Sequence, residues 1–227
     1  MNRYVIIVAG GVGSRMNSIH PKQFMLLGGQ PLLMYSINTF YESGVKEIIV
    51  VIPHSFLEFW KELCLKHSFE IPHKVVAGGH IRTQSVKNGL DEINDANAVV
   101  AIHDGVRPFV SKETIQQAFS LAHKTGTAVP YLDLTDSLRL FDGDVGRSVE
   151  RDHYKSIQTP QCFELSLLKR AYNSSQVQSF KDDASLVEQM NESISMFKGN
   201  MENIKITSPF DFIIAEAILK SKESSVK

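Results

Sequence analysis

Continuous apolar runs of strand length alternate with segments of helical periodicity along most of the chain. Four such runs, rich in valine and isoleucine, cover residues 4–9, 47–52, 74–76 and 98–102, with a charge only at the first position of the second and third runs, Glu47 and Lys74. Runs that are apolar at every position predict strands buried on both faces of a sheet. Between them, residues 32–40 and 83–93 carry apolar side chains at helical spacing. The alternation predicts an α/β fold with a mostly parallel sheet covered by helices on both faces.

Two further helices and a last strand complete this pattern. Ser55 is predicted to cap the helix after the second strand. Near the end of the chain, residues 203–206 predict a strand, and Ser208, Pro209 and Asp211 predict the start of a helix. A serine cap, a proline at the first helical position and an acid three residues after the cap are typical of a helix start.

The alternation ends after Tyr131. Residues 137–141 and 145–149 predict two strands of a β-hairpin, with Asp142-Gly143-Asp144 at its turn. Because two ribbon strands cannot bury a core alone, the hairpin is predicted to pack on a second subunit or, as the alternative, on the surface of its own chain. We therefore expect one domain over residues 1–227 with a β-arm at about 131–156.

Composition excludes several classes of partner. Lys and Arg number 24 against 25 Asp and Glu, so the net charge favours neither nucleic acid nor a membrane surface, and any anion site must be local. Cys64 and Cys162 lie far apart without metal-ligand spacing, which fits a reducing cytoplasm. No signal region or apolar run of membrane-spanning length is recognisable. We expect a cytoplasmic protein.

A glycine loop follows the first predicted strand. Gly10, Gly11 and Gly13 precede Arg15, and Lys22 comes after a short polar gap. Glycines allow a tight turn whose backbone N–H groups approach an anion. The loop lacks the Gly-Lys-Ser/Thr of a Walker A motif and the third glycine of a dinucleotide fingerprint. A tight structural turn is the alternative, but the two cations favour a polyphosphate site.

Unusual polar residues stand at the ends of other predicted strands, where ligands bind in open α/β sheets. Gly79 and Ser85 follow the third strand, Asp104 and Arg107 the fourth, and Lys205 belongs to the last. A carboxylate at such an edge suits Mg²⁺, although a helix cap or loop hydrogen bond is the alternative. Arginine is a planar donor fork suited to phosphate. A lysine facing an anion avoids the cost of an unpaired ammonium.

These side chains favour transfer of a phosphoryl or nucleotidyl group. No serine-hydrolase elbow, pair of histidine ligands or cofactor lysine is recognisable in the sequence. In phosphoryl transfer the protein mainly positions two anions and neutralises the charge of the transition state. The alternative is a nucleotide-binding module without turnover, against which the number of charges at one phosphorus argues.

Five motifs occur in order along nearly the whole chain. They are Ala9-Gly-Gly-Val-Gly-Ser-Arg-Met16, Pro21-Lys-Gln-Phe24, His103-Asp-Gly-Val-Arg-Pro108, Gln158-Thr-Pro-Gln161 and Asn203-Ile-Lys-Ile-Thr207. With them the chain resembles the bacterial 2-C-methyl-D-erythritol 4-phosphate cytidylyltransferases of the non-mevalonate isoprenoid pathway. Ribitol 5-phosphate cytidylyltransferases share nearly all of these motifs and are the alternative.

The resemblance implies a Rossmann-like nucleotidyltransferase fold, a homodimer that exchanges the β-arm, and Mg²⁺-dependent attack of a sugar-alcohol phosphate on CTP. The residues it would place at the triphosphate and the reacting phosphorus are Arg15, Lys22 and Lys205. Those around CTP would be Ala9, Gly10, Gly11, Gly13, Gly79, Ser85 and Asp104. Asp104 would also serve the metal. Those at the acceptor would be Asp104, Arg107, Ser137, Arg151 and Lys181.

The chain departs from the family pattern at a few positions. His80 stands where an acid is frequent, Ser137 and Lys181 where threonine is common, and Gly105-Val106 where Ala-Ala is frequent. Lys181 is the departure that bears most on the expected contact between subunits and acceptor.

Overall fold

The computed structural model describes residues 1–11, 21–174, 180 and 182–224. The strands are β1 (Asn2–Val8), β2 (Leu26–Leu27), β3 (Gln30–Pro31), β4 (Glu47–Ile52), β5 (Lys74–Ala77), β6 (Ala98–Asp104), β7 (Thr127–Asp133), β8 (Arg139–Asp142), β9 (Val145–Ser148), β10 (Lys155–Ile157), β11 (Gln161–Glu164) and β12 (Met196–Lys198). The helices are α1 (Leu32–Glu42), α2 (Leu57–Lys66), α3 (Arg82–Asp91), α4 (Lys112–Thr125), α5 (Leu165–Ser174), α6 (Asp183–Glu188) and α7 (Pro209–Ser224).

One mixed sheet forms the centre of the molecule. Its strand order is β10-β7-β11-β6-β1-β4-β5, with β12 pairing β7. The pairs β6·β1, β1·β4, β4·β5 and β12·β7 are parallel, whereas β11 and β10 run antiparallel to their neighbours. The predicted mostly parallel α/β sheet is confirmed.

Two hydrophobic clusters cover the two faces of this sheet. Val5 and Ile7 of β1 belong to one cluster together with α1, α2 and α4. Tyr4 and Ile6 belong to the other, with α3, α5 and α6. Successive side chains of a strand point to opposite faces, so burial on both sides explains why residues 4–8 of β1, 48–52 of β4 and 98–102 of β6 are all apolar.

The predicted elements form with small shifts, apart from two errors. The helix after β4 begins at Leu57 behind a short 3₁₀ turn, His54–Phe56, so Ser55 does not cap it. Residues 203–206 form no strand; they run as irregular backbone, from which Ile206 N donates to Val106 O at 3.0 Å. The start of α7 is confirmed, because Ser208 Oγ and the Asp211 carboxylate each accept from the other residue's backbone N–H.

The predicted hairpin forms a separate two-stranded sheet of β8 and β9. Gly143 occupies its turn with φ of +63°, a backbone conformation that glycine adopts without steric cost. Phe141 and Val145 are 69% and 73% exposed. The apolar side chains of the hairpin thus gain little burial within their own chain. No helix in the described ranges is long and apolar enough to cross a lipid bilayer.

Candidate active site

The carboxyl ends of β1, β4, β5 and β6 meet at one edge of the sheet. Ala9 N donates to Val51 O, Gly78 N to Ile52 O, and Gly105 N to Val8 O, at 2.7–2.9 Å. These bonds continue the sheet one residue past its strands, so each following loop starts from a fixed position. The edge is the place where an open parallel sheet binds its ligands.

A cleft of about 230 Å³ opens at this edge. Among the residues that line it, those predicted for the site are Ala9, Gly10, Gly11, Lys22, Gly79, Ser85, Asp104 and Lys205. Gly13, Arg15 and Lys181 lie outside the described residues. The structure therefore brings together most of the residues expected around a nucleotide.

The loop from β5 to α3 forms one wall of the cleft. Ser85 Oγ accepts a hydrogen bond from Gly79 N at 3.1 Å, and Gln84 Oε1 accepts from His80 N at 3.2 Å. A Cβ at Gly79 would overlap the Gln84 side chain, so glycine allows this close approach. The first turn of α3 thus fixes the loop that precedes it.

Lys22, which also lines the cleft, opens a one-turn 3₁₀ helix, Lys22–Phe24. Gln23 is buried and its Nε2 donates to Ala9 O at 2.5 Å. This bond ties Lys22 to the start of the glycine loop, although thirteen residues of chain lie between Ala9 and Gln23.

Asp104 is the centre of charge in the cleft. Its Oδ2 lies 3.1 Å from Lys205 Nζ and 3.2 Å from Arg107 Nε. Burial raises the pKa of this carboxyl, but the charges of Lys205, Arg82 and Arg107 outweigh that effect and hold the pKa well below its ordinary value. Asp104 is therefore ionised, and the surrounding cations exceed its single negative charge.

Arg107 is turned inward rather than toward solvent. Besides the contact of its Nε with Asp104, its Nη1 donates to Asn203 O at 2.8 Å, and the residue is buried. Two of its donor groups are thus already engaged. The Arg107 guanidinium therefore positions the Asp104 carboxylate, in addition to any ligand that it binds.

His103 lies beneath Asp104 and is fully buried. Nε2 of the ring faces Arg107 O at 3.2 Å, and because a carbonyl oxygen can only accept, Nε2 carries the proton of the neutral imidazole. Thr159 Oγ1 accepts from Asp104 N and donates to the unprotonated His103 Nδ1, 3.0 Å away. Burial lowers the pKa of His103 to about 4. The neutral imidazole, hydrogen-bonded at both ring nitrogens, therefore holds the backbone around Asp104 in place and does not act as a base.

A second depression, of about 210 Å³, adjoins the cleft. It shares Arg82, Asp104 and Lys205 with the cleft, and Arg107, Gln158 and Thr159 contribute to its walls. Two anionic groups in the two depressions would meet at the shared residues. Arg107, which was predicted to contact the acceptor, lines the second depression and not the cleft.

Arg82 is a site residue that the sequence did not reveal. Its Nη2 lies 2.6 Å from Oδ2 of the fully buried Asp183, whose Oδ1 accepts from Tyr172 OH at 2.5 Å. Burial opposes the charge of Arg82, but Asp183 outweighs it and raises the pKa. An arginine in the first turn of α3, just after the glycine pair, was the available signal.

Lys205 reaches the cleft without belonging to a strand. Residues 203–206 cross beyond the carboxyl end of β6, tied there by Ile206 N to Val106 O and by Asn203 O to Arg107. The lysine is nevertheless where it was predicted, because the crossing segment passes the same edge of the sheet.

Ser137 and Arg151 lie elsewhere, at the base of the hairpin. They line a cavity of about 360 Å³ together with Leu138, Val149, Glu150 and Asp152, and, within the described ranges, none of these residues lines the cleft. Arg151 Nη1 donates to Thr135 O at 2.5 Å, and its Nε is 3.8 Å from Asp152. One chain therefore does not bring these two residues to Asp104.

Comparisons with known proteins agree with this geometry. A family model described as IspD, 2-C-methyl-D-erythritol 4-phosphate cytidylyltransferase, matches residues 4–221. The 2-C-methyl-D-erythritol 4-phosphate cytidylyltransferase of Bacteroides fragilis is 46% identical over 96% of this chain and 100% of its own length. The crystal structure of the enzyme so named from Thermus thermophilus superposes with a TM-score of 0.79 at 30% identity, covering 97% of this chain and 100% of that one.

A second solved structure, 4-diphosphocytidyl-2C-methyl-D-erythritol synthase from Anaerococcus prevotii, matches with a TM-score of 0.83 at 29% identity over 96% of both chains. The family predicted from the five motifs is thereby confirmed. This chain belongs to the 2-C-methyl-D-erythritol 4-phosphate cytidylyltransferase family of non-mevalonate isoprenoid biosynthesis.

Proposed function

We propose that this enzyme transfers the cytidylyl group of CTP to 2-C-methyl-D-erythritol 4-phosphate. An oxygen of the acceptor phosphate attacks the α-phosphorus of CTP and forms the new P–O bond. The bond from that phosphorus to the oxygen of the β-phosphate breaks, and pyrophosphate leaves with the electron pair. The observation that carries the proposal is the ionised Asp104 at the junction of two depressions, within an excess of cations.

The cleft suits the nucleotide half of this reaction. We assign the backbone of Gly10, Gly11 and Gly13 to the phosphates, and Ala9, Gly79 and Ser85 to the cytosine and ribose. Lys22 and Lys205 both line the cleft, and with Arg15 they would neutralise the charge that develops on the α-phosphate. Preorganised cations of this kind act most strongly in the transition state.

Magnesium fits the donor set of the cleft. Asp104 is the one carboxylate among the described lining residues, and no group of three or more metal-ligating side chains occurs in the ranges that the structure describes. Mg²⁺ commonly binds through one carboxylate together with substrate phosphates. Asp104 would hold the ion when CTP brings its phosphates, and the ion would add positive charge beside the reacting phosphorus.

The acceptor half of the site needs a second copy of the chain. Arg107 lies beside Asp104, but Ser137 and Arg151 line a separate cavity. We propose a homodimer in which the hairpin of one copy carries Ser137 and Arg151 to the other copy's second depression. The exposed Phe141 and Val145 would then be covered. Lys181 belongs to this half of the site by its position in the sequence alone.

We further propose one catalytic domain over residues 1–227 with the β-arm at about 131–156, working in the cytoplasm. The arm is a sheet of its own, separate from the central one. Cys64 and Cys162 are both free thiols, as is usual for proteins of a reducing compartment.

An acceptor screen tests the proposed reaction. Purified enzyme with CTP and Mg²⁺ is offered 2-C-methyl-D-erythritol 4-phosphate or ribitol 5-phosphate, and pyrophosphate release is followed. We expect release with the first acceptor and little with the second. Faster turnover of ribitol 5-phosphate would replace the proposed acceptor, and CTP binding without release from either would identify a binding module.

Removal of the hairpin is expected to give a monomer that has lost the use of the acceptor. Val149 N donates to Leu138 O, so residues 138–149 can be replaced by two glycines without moving the ends of the arm. Sedimentation velocity measures the size, and calorimetric titration with CTP checks that the cleft remains. A shortened protein that stays dimeric would show that the arm is not the interface.

Arg151→Lys is expected to raise the KM for the acceptor about tenfold, with the KM for CTP unchanged. Lysine replaces a bidentate fork by a point charge, and roughly 1.4 kcal/mol corresponds to that factor. Arg147→Lys, on the same hairpin but away from the cavity, is the matched control. Arg107→Lys is expected to raise the acceptor KM as well, but it also loosens Asp104. An increase confined to the KM for CTP would move the arginine concerned to the nucleotide half.

A further inference from the structure

Phe24 anchors the turn that carries Lys22 in an aromatic cluster. The cluster consists of Phe24, Phe56, Phe59, Trp60, Phe69 and His73. The ring of Phe24 is stacked on Trp60 at a centroid distance of 5.9 Å, and meets Phe56 and Phe59 at 5.6 and 5.5 Å. Phe24 is buried. Three ring contacts fix both its position and its orientation.

Trp60, in turn, is held at its polar edge. Its Nε1 donates to His73 Nε2 at 3.0 Å, which leaves the imidazole proton on Nδ1, where it is donated to Ile71 O at 2.7 Å. Phe69 packs edge-on against the indole at 6.4 Å. A buried indole with its N–H satisfied is a rigid support for the ring stacked on it.

The distance along the chain from this support to the cleft is short. Lys22 precedes Phe24 by two residues in the same 3₁₀ turn, which is closed by Phe24 N to Pro21 O at 3.0 Å and Met25 N to Lys22 O at 3.1 Å. Gln23 between them is bonded to Ala9 O. The Phe24 ring and the backbone of Lys22 thus belong to one short hydrogen-bonded turn.

We propose that Phe24 is a positioning residue for the reaction, that it acts through Lys22, and that the rings of Phe56, Phe59 and Trp60, which contact it directly, hold it in place. The inference rests on the role proposed above for Lys22 at the α-phosphate. A second consequence is that phosphate binding at Lys22 changes the surroundings of the Trp60 indole, because Lys22 shares a turn with Phe24, whose ring is stacked on Trp60.

Phe24→Leu is the first test, with Phe69→Leu as the matched control. Each removes one ring that contacts Trp60, but only Phe24 adjoins Lys22. We expect Phe24→Leu to lower kcat about 10- to 100-fold, since small misplacements of catalytic groups have effects of this size, while the KM for CTP changes less than about threefold. Phe69→Leu is expected to lower the melting temperature but leave kcat within about twofold.

Fluorescence of Trp60 is the second test, and it uses the unaltered protein. The chain has a single tryptophan, so emission excited at 295 nm, where CTP absorbs weakly, reports this site alone. We expect addition of CTP with Mg²⁺, without acceptor, to give a saturable change in emission. In Phe24→Leu the change should be lost although calorimetry still detects CTP binding.

Lys22→Ala separates this inference from the proposed function. Loss of turnover in Lys22→Ala, with kcat near the wild-type value in Phe24→Leu, would overturn the role of Phe24 and leave that of Lys22 intact. Equal kcat losses in the Phe24 and Phe69 variants would reduce the cluster to a structural one. Turnover unchanged in Lys22→Ala would overturn both. If Phe24→Leu does not fold, the wild-type protein still provides a test. Trp60 emission that does not change at saturating CTP would overturn the inference.

Discussion

Lys22→Ala is expected to lower turnover by about 10²–10³-fold while weakening CTP binding far less. Lys22 lines the cleft on the turn that Gln23 ties to Ala9, and we propose that its ammonium is held beside the phosphates of CTP before they react. A charge fixed in this way stabilises the transition state more than the ground state, and its loss appears mainly in kcat.

Steady-state rates of pyrophosphate release and calorimetric CTP binding measure the two effects. Lys61→Ala, an exposed lysine on α2, is the control for removal of one positive charge. Turnover of Lys22→Ala within a few-fold of wild type would mean that another group carries the transition-state charge.

Asp104→Asn is expected to reduce turnover by about 10³-fold or more, since it removes both the proposed metal ligand and the counter-charge of Lys205, Arg82 and Arg107. The same change should also alter the affinity for CTP, in opposite directions without and with Mg²⁺. Without Mg²⁺, the variant should bind CTP at least as tightly as wild type, because a negative charge has left the cleft. With Mg²⁺, wild type should bind more tightly.

Stability gives an independent reading of Asp104→Asn. Removal of one partner from a buried ion pair destabilises by about 3–5 kcal/mol. Because the folded-state pKa of Asp104 lies below its ordinary value, its stabilisation is present above the unfolded-state pKa and is lost as the pH falls through the folded-state pKa. The melting temperature of wild type should therefore converge on that of the variant in acid. Asp91→Asn, whose exposed carboxylate pairs with Lys87, is the control; tighter Mg²⁺-dependent binding by Asp104→Asn would refute the metal assignment.

The local pattern of apolar residues predicted the strands and the edge of the sheet where they end. Burial on both faces requires consecutive apolar residues, which can be recognised in the sequence. β4 occupies the predicted residues 47–52, and β1 differs only at its ends. The same logic placed Asp104 at this edge, where β6 ends. Positions that follow strand ends carry this information, since the sheet itself aligns them.

The errors have a different physical origin. Residues 203–206 alternate polar and apolar side chains like a strand, but a ladder also needs a neighbouring strand. Here isolated hydrogen bonds hold an irregular segment at the edge of the sheet. Arg82 and Asp183 are separated by 101 positions, so no local pattern joins them. The support of Asp104 by Thr159 likewise depends on a contact across 55 positions. Pattern cannot predict such pairs before the fold has brought them together.

The neutral His103 beneath Asp104 has a consequence for the protons of the reaction. Its pKa of about 4 and the still lower one of Asp104 lie on the acid side of the working range, so neither group gains or loses a proton near neutrality. The second ionisation of a phosphate monoester has a pKa of about 6. Of His103, Asp104 and the acceptor phosphate, only the phosphate changes its charge near neutral pH. The pH dependence of the rate in this range should therefore follow the ionisation of the nucleophile and not that of either residue.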